Sequence, residues 1–144
     1  MKIENNQAIV NARSLSISTK MSIEICRVIR NKNIKDAKRM LNDIVEMKRA
    51  LPLVRFKRDV AHKRGKIAAG RYPINTGTQF LNLLDSVQKN AENKGLDTNN
   101  LIISFAKADR AEAKHRSGSK RRTGAKNTHV SLVVTEIENK EKKK

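Results

Sequence analysis

The stretch from Glu112 to Val134, EAKHRSGSKRRTGAKNTHVSLVV, most narrows what this chain can fold into. No Asp or Glu occurs between Glu112 and Glu136, while Lys114, Arg116, Lys120, Arg121, Arg122 and Lys126 crowd its first part, with Gly118 and Gly124 among them. A run of like charges cannot enter an apolar core, and it repels itself in water. It is expected to project from the fold and to become ordered where anionic groups surround it. The residues after it alternate as a strand does, with Val130, Leu132 and Val134 against Ser131, Val133 and Thr135. A second strand signal lies before it in LIISFAKA, with Ile103 and Phe105 on one side and Ile102, Ser104 and Ala106 on the other. Two strands flanking such a loop make an antiparallel hairpin. With half of the intervening residues on each side, at about 3.3 Å per residue, the arm would reach about 30 Å.

The rest of the chain supplies a core for that hairpin. QAIVNARSLSIS reads as an extended segment with Ile9, Val10, Leu15 and Ile17 as its apolar positions, followed by Ser18 as a helix cap. In the next stretch Met21, Ile25, Val28 and Ile29 recur at helical spacing. A second helix starts at Asn33, with Asp36 placed as in a capping box, and carries the stripe Ile34, Ala37, Leu41, Ile44 and Val45. Pro52 marks its end. A third helix spans TQFLNLLDSVQKNAENKG, with Phe80, Leu83, Leu84, Val87 and Ala91 on one face and Gly95 as a left-handed C-terminal cap. Between the second and third helices runs a basic segment of no clean period, with Arg55, Lys57, Arg58, Lys63, Arg64, Lys66 and Arg71, punctuated by Gly65, Gly70 and Pro73. An unstructured loop of that length in a small domain is usually functional.

The order strand, helix, helix, basic loop, helix, strand, strand predicts an α+β fold: a three-stranded antiparallel sheet covered by three helices, with a long basic β-hairpin extension. The 144 residues suit a single domain. Its globular part is expected at about 8–106 and 129–138, the hairpin at about 107–128, and a flexible tail at 139–144. With no Trp, one Tyr and three Phe, the core must be mostly aliphatic.

Net charge is +18, from 32 basic and 14 acidic residues. Such a surplus opposes compaction and favours a polyanionic partner, nucleic acid first and an anionic membrane surface second. Acidic residues on the helices, Glu24 among them, interrupt the polar faces that membrane binding would use. No apolar run nears the about 18 residues that span a bilayer, and the first ten residues lack the apolar core of a signal peptide, so a cytoplasmic protein is expected. Cys26, the single cysteine, sits among Ile23, Ile25, Val28 and Ile29 and reads as a small buried hydrophobe. His62, His115 and His129 are too scattered for a metal site and suit hydrogen bonding or stacking on nucleic acid instead. There is no Walker-type loop, nucleophile–base pair or acid–base carboxylate pair. Neither an enzyme, a cofactor nor a small-molecule substrate is expected.

The candidate binding set follows from charge and position. In the linker it comprises His62, Lys63, Arg64, Lys66 and Arg71; toward and within the arm it comprises Arg110, Lys114, His115, Arg116, Lys120, Arg121, Arg122, Lys126 and His129. Arginine forks bidentately onto phosphate and lysine acts as a point charge. Small residues such as Ser117, Gly118, Ser119 and Gly124 let the backbone approach closely. Aromatic side chains are too few for a single-strand stacking platform, and no major-groove reading motif appears, so folded RNA is the favoured ligand.

Five stretches, EICRVIRNKNIKDAKRMLNDIVEMKRALP, AHKRG, AAGRYPIN, KNAENKGLD and KNTHVSLVV, occur in the order found in ribosomal protein family twenty-two of the large subunit. The resemblance runs from about Ala12 to Glu138. RFKRDVAHKRGKIAAGRYP is similar to the archaeal and eukaryotic branch. The resemblance implies a compact domain near the mouth of the peptide exit tunnel and a hairpin that passes through large-subunit ribosomal RNA to line the tunnel. It further implies a role in assembly, with ribosomal RNA, neighbouring large-subunit proteins and the nascent polypeptide as partners. Two features depart from the family: Ser18-Thr19 stands where Ser-Pro is common, and the tip HRSGSKRRTGAKNT lacks the usual proline and is several residues shorter. The alternative is a nucleic-acid-binding protein acting off the ribosome, such as a DNA-associated regulator that lays the hairpin in a groove.

Overall fold

The computed structural model describes residues 6–137. Strand β1 (Gln7–Leu15) leads into helices α1 (Thr19–Ile29) and α2 (Ile34–Val45). Two short strands, β2 (Leu51–Pro52) and β3 (Gly70–Arg71), precede helix α3 (Ile74–Asn93), and the chain closes with β4 (Leu101–Arg110) and β5 (Thr128–Glu136). The main sheet is antiparallel in the order β1-β5-β4, so β5 is paired on both edges. Helix α1 packs on β4, α3 on β1 and β5, and α2 on α3. The expected α+β fold of three helices over a three-stranded antiparallel sheet is therefore present. The tail expected at 139–144 lies outside the described residues.

The helical stripes read from the sequence form the core. Ile25 and Ile29 of α1, Ile34, Ala37, Leu41 and Ile44 of α2, and Phe80, Leu83, Leu84, Val87 and Ala91 of α3 are all buried. Met21, Val28 and Val45 are partly covered at its edge. Caps differ in detail from expectation. Asn33 Oδ1 accepts the Lys35 N–H at 3.0 Å, but Asp36 returns no capping-box bond and lies 3.8 Å from Arg39 instead. The Ser18 hydroxyl makes no cap bond; the Ser18 carbonyl accepts from both the amide and the hydroxyl of Ser22. Gly95 has φ +75°, the left-handed conformation that ends α3. Helix α3 begins four residues earlier than its apolar stripe signals, directly after Pro73. The added turn carries Gly77, where a Cβ would stand 2.9 Å from Val45 Cγ2, so the lack of a side chain sets how closely α2 and α3 approach.

The face assignment for β4 needs correction. Ile103 and Phe105 do not share a face, because the ladder slips between them: Ile103 pairs with Val134 and Phe105 with Val133. This β-bulge inserts Ser104, turns Phe105 outward and brings Ala106 and Ala108 to the helical side, where both are buried. Outside, Phe105 and Ile9 flank Val133, which is 2% exposed, so β5 is apolar on both faces at that point. A second sheet, β2 with β3, has no counterpart in the sequence pattern, because two residues per strand leave no periodic signal. It closes the basic segment 53–69 into a loop whose base is further tied by Leu53 N–H to the Ala69 carbonyl at 3.0 Å.

Truncating Phe80, fully buried between the helices and the sheet, is expected to cost about 3–5 kcal/mol. Urea unfolding of Phe80→Ala beside the parent chain measures it, and a cost below about 1 kcal/mol would contradict the packing described.

Candidate nucleic-acid interface

The arm is rooted in the sheet by hydrogen bonds that use side chains as well as backbone. The β4–β5 ladder runs to Arg110 opposite Thr128. Beyond it, Ala111 N–H donates to the Asn127 carbonyl and Ala125 N–H to the Lys114 carbonyl, and Lys114 and Ala125 form an isolated bridge. The Asn127 amide donates to the Glu112 carbonyl at 2.9 Å. Thr128, fully buried, donates its hydroxyl to the Ile17 carbonyl at 2.9 Å; the Thr19 hydroxyl, 2.8 Å away, must then donate to Thr128. These bonds pin the base of the arm to the β1–α1 junction.

Past this root regular pairing stops. Every residue from 112 to 124 is exposed, and the tip is a single 3-10 turn, Gly118–Lys120. In the register of the Lys114–Ala125 bridge the next pairs would be His115 with Gly124, Arg116 with Thr123 and Ser117 with Arg122, polar residues and glycine with no apolar face to hold a ladder together. The expected hairpin is thus a short ladder continued by an irregular loop among the described residues.

The predicted residues fall into three groups. His62 bridges Ala69 within the loop, Lys63 holds its ammonium 5.7 Å above the Tyr72 ring, Arg64 and Lys66 are exposed, and Arg71 donates to its neighbouring Gly70 carbonyl. Lys114, His115 and His129 line one hollow beside Ser14, while Arg110 and Lys126 line another. The linker residues from His62 to Arg71 share neither. Arg116, Lys120, Arg121 and Arg122 stand in solvent at the tip. Among the described residues none of these lysines and arginines joins an ion pair, which are confined to Arg27–Glu24, Lys38–Asp85, Arg39–Asp36, Lys48–Glu46 and Lys107–Asp109. Their charge is not balanced by an ion pair among the described residues. His129 has a structural task as well. Its Nδ1 accepts the Ser14 N–H at 3.0 Å, where β1 bulges and Ser14 takes φ +56°.

Glu24 overturns one sequence expectation. It does not interrupt a polar face; it is fully buried in α1, and its Oε1 accepts the amides of Arg55 and Phe56 at 2.7 and 2.8 Å. Its Oε2 makes no hydrogen bond, with Arg27 at 3.9 Å. A buried carboxylate is costly unless charge-assisted hydrogen bonds compensate it, and here those bonds fix the entrance of the basic loop. No sequence signal separates such a glutamate from a solvated one, because its partners are backbone amides 31 and 32 residues away. Arg55 then lies 5.3 Å above the Phe56 ring, and Lys20 5.9 Å from it. Arg27 and Arg30 belong to no basic run, since neither has a basic residue directly beside it in its helical segment, and the charge pattern alone does not single them out. Cys26 is buried, and burial pushes its thiol up to about 12, so it stays a neutral apolar group. Among the described residues no helix is long and apolar enough to cross a membrane, and no group of three or more His, Cys, Asp or Glu is placed to hold a metal ion.

Fold and surface together define a small α+β domain that presents an unneutralised cationic arm and a clamped cationic loop. Residues 10–137 match the model of the family described as Ribosomal protein L22p/L17e. The chain is 43% identical to the large ribosomal subunit protein uL22 of Methanoculleus marisnigri over 92% of its own length and 91% of that protein. It is 47% identical to the protein of the same name from Methanoregula boonei, covering 78% and 75%, and 37% identical to that from Thermofilum pendens, covering 88% and 87%. The chain belongs to the ribosomal protein L22p/L17e family. That is a family of ribosomal proteins and not of enzymes, and its identification rests on most of the chain.

Glu24→Ala is expected to release the loop: the Arg55 and Phe56 amides should exchange with solvent far faster, and stability should fall by about 2–5 kcal/mol, as for loss of bonds to a buried charged group. Hydrogen exchange by mass spectrometry measures this, and unchanged protection of residues 53–58 would refute the clamp.

Proposed function

We propose that the protein is a structural constituent of the large ribosomal subunit that binds large-subunit ribosomal RNA, supports assembly, and lines part of the peptide exit tunnel with its hairpin. The observation that carries this reading is the arm itself: exposed from 112 to 124, acid-free from 113 to 135, without ion pairs beyond Asp109 among the described residues, yet firmly rooted at Thr128 and Asn127. A rooted but unneutralised arm has a fixed direction and no internal counter-charge. Its order is completed by phosphates approaching from several sides, as in folded RNA. Family membership supports the setting, a large ribosomal subunit in the cytoplasm with neighbouring ribosomal proteins; the nascent polypeptide is the further partner that a tunnel-lining hairpin would meet.

The division of labour follows from charge. The globular part at about 8–106 and 129–138 carries the core, and the segment at about 107–128 enters the RNA. Arg116, Arg121 and Arg122 fork onto phosphate, Lys114, Lys120 and Lys126 neutralise, and His115 and His129 offer hydrogen bonds at the base of the arm. His62, Lys63, Arg64, Lys66 and Arg71 grip RNA beside the globular domain. The chain performs no chemistry; its work is displacement of condensed counterions together with shape fit.

Replacing Arg121 and Arg122 together by Gln should lower the slope of log affinity against log salt by about 2, one for each lost phosphate contact. Filter binding to large-subunit ribosomal RNA at several salt concentrations provides the slope. In cells, deletion of Ser117 to Gly124 should leave the domain folded and reduce its recovery in large subunits washed at high salt. Full recovery of the deleted form would overturn the proposed role of the arm.

A further inference from the structure

Between α1 and β4 lies a cleft of about 530 Å³, lined by Ile23, Cys26 and Arg27 of α1, by Arg30 and Arg55, and by the β4 residues 106–110. Its volume lies within the roughly 300–1,000 Å³ of sites that hold small organic ligands. Its floor is apolar: Cys26 is 2% exposed and neutral, Ala106 and Ala108 are buried, and Ile23 is partly covered. Its rim is cationic, with Arg27, Arg30, Arg55 and Arg110 on the lining. The one carboxylate on the lining, Asp109, is taken by Lys107 at 2.9 Å.

The rim is arranged rather than incidental. Arg30 donates to the Ala106 carbonyl at 2.8 Å, across the cleft floor, which leaves its other guanidinium donors free. Arg55 is brought to the rim because Glu24, buried beneath, holds its backbone amide. Arg27 is steadied by the same carboxylate at 3.9 Å. Arg110 sits at the last rung of the ladder that roots the arm. The cleft thus joins the start of the basic loop to the base of the arm.

We propose that this cleft is a nucleotide subsite that takes one unstacked nucleotide of the bound RNA, its base against the floor and its phosphate on the arginine rim. The inference rests on the reading of the chain as an RNA binder. A duplex backbone alone would satisfy the rim and leave the apolar floor wet. An apolar ligand alone would leave the guanidinium groups without an anion. A splayed nucleotide satisfies both, since guanidinium planes stack on bases as well as fork onto phosphate.

The test is zero-length ultraviolet crosslinking of the full chain to archaeal large-subunit ribosomal RNA, with nucleotide adducts located on peptides by mass spectrometry. Adducts are expected on the α1 peptide around Ile23–Arg27 or the β4 peptide around Ala106–Arg110, together with adducts on the arm. In Arg27→Gln/Arg55→Gln, both surface positions, the cleft adducts should fall about tenfold, the size expected when one base loses its stacking and phosphate partners, while arm adducts persist. Arg55→Lys keeps the charge but not the planar fork and should fall between the two. Arm adducts without cleft adducts, or cleft adducts undiminished in the double variant, would overturn the subsite and leave RNA binding intact. Absence of adducts anywhere would sink the RNA reading, and the subsite with it.

Discussion

Strand β5 is the element on which the rest of the structure depends. It is hydrogen-bonded along both edges, to β1 and to β4, and buries Val130, Leu132 and Val134 beneath the helices. Its first residue, Thr128, is also the anchor of the arm through Ile17 and Thr19. One strand therefore joins the aliphatic core to the cationic projection. Loss of its register would misdirect both, because a slip by one residue exchanges the faces of a strand.

The second constraint is charge. A chain of net charge +18 folds against its own repulsion. The solution seen here is spatial separation. Acidic residues that form ion pairs lie mainly on and between the helices, as in Lys38–Asp85 and Arg39–Asp36, where they offset repulsion close to the core. Among the described residues the loop from 53 to 69 and the arm beyond Asp109 are left without such pairs, largely in solvent, where screening limits the cost. The same separation leaves the loop and the tip of the arm charged and largely exposed.

Glu24 sits where these two constraints meet. Burying a carboxylate in a helix that faces a sheet is unfavourable unless it finds donors, and the donors it finds are the amides at the entrance of the basic loop. The position of Arg55 on the rim of the α1–β4 cleft follows from this one placement. The protein uses an internal anion to position external cations.

The amino-acid sequence by itself determined the helices, their buried stripes, the two long C-terminal strands and the cationic character of the loop and arm. Those properties are local, carried by periodicity of 3.6 or 2 and by charge counts that survive any arrangement of the chain. Tertiary structure alone decided the rest. The bulge at Ser104 that turns Phe105 outward depends on which β5 residue stands opposite, as does the bulge that sets Ser14 against His129. The burial of Glu24, the pinning of Thr128 and the gathering of Arg27, Arg30, Arg55 and Arg110 around one cleft each join residues far apart in the chain. Such pairings follow from the packing of elements on one another, and a sequence pattern holds no record of distance across the fold.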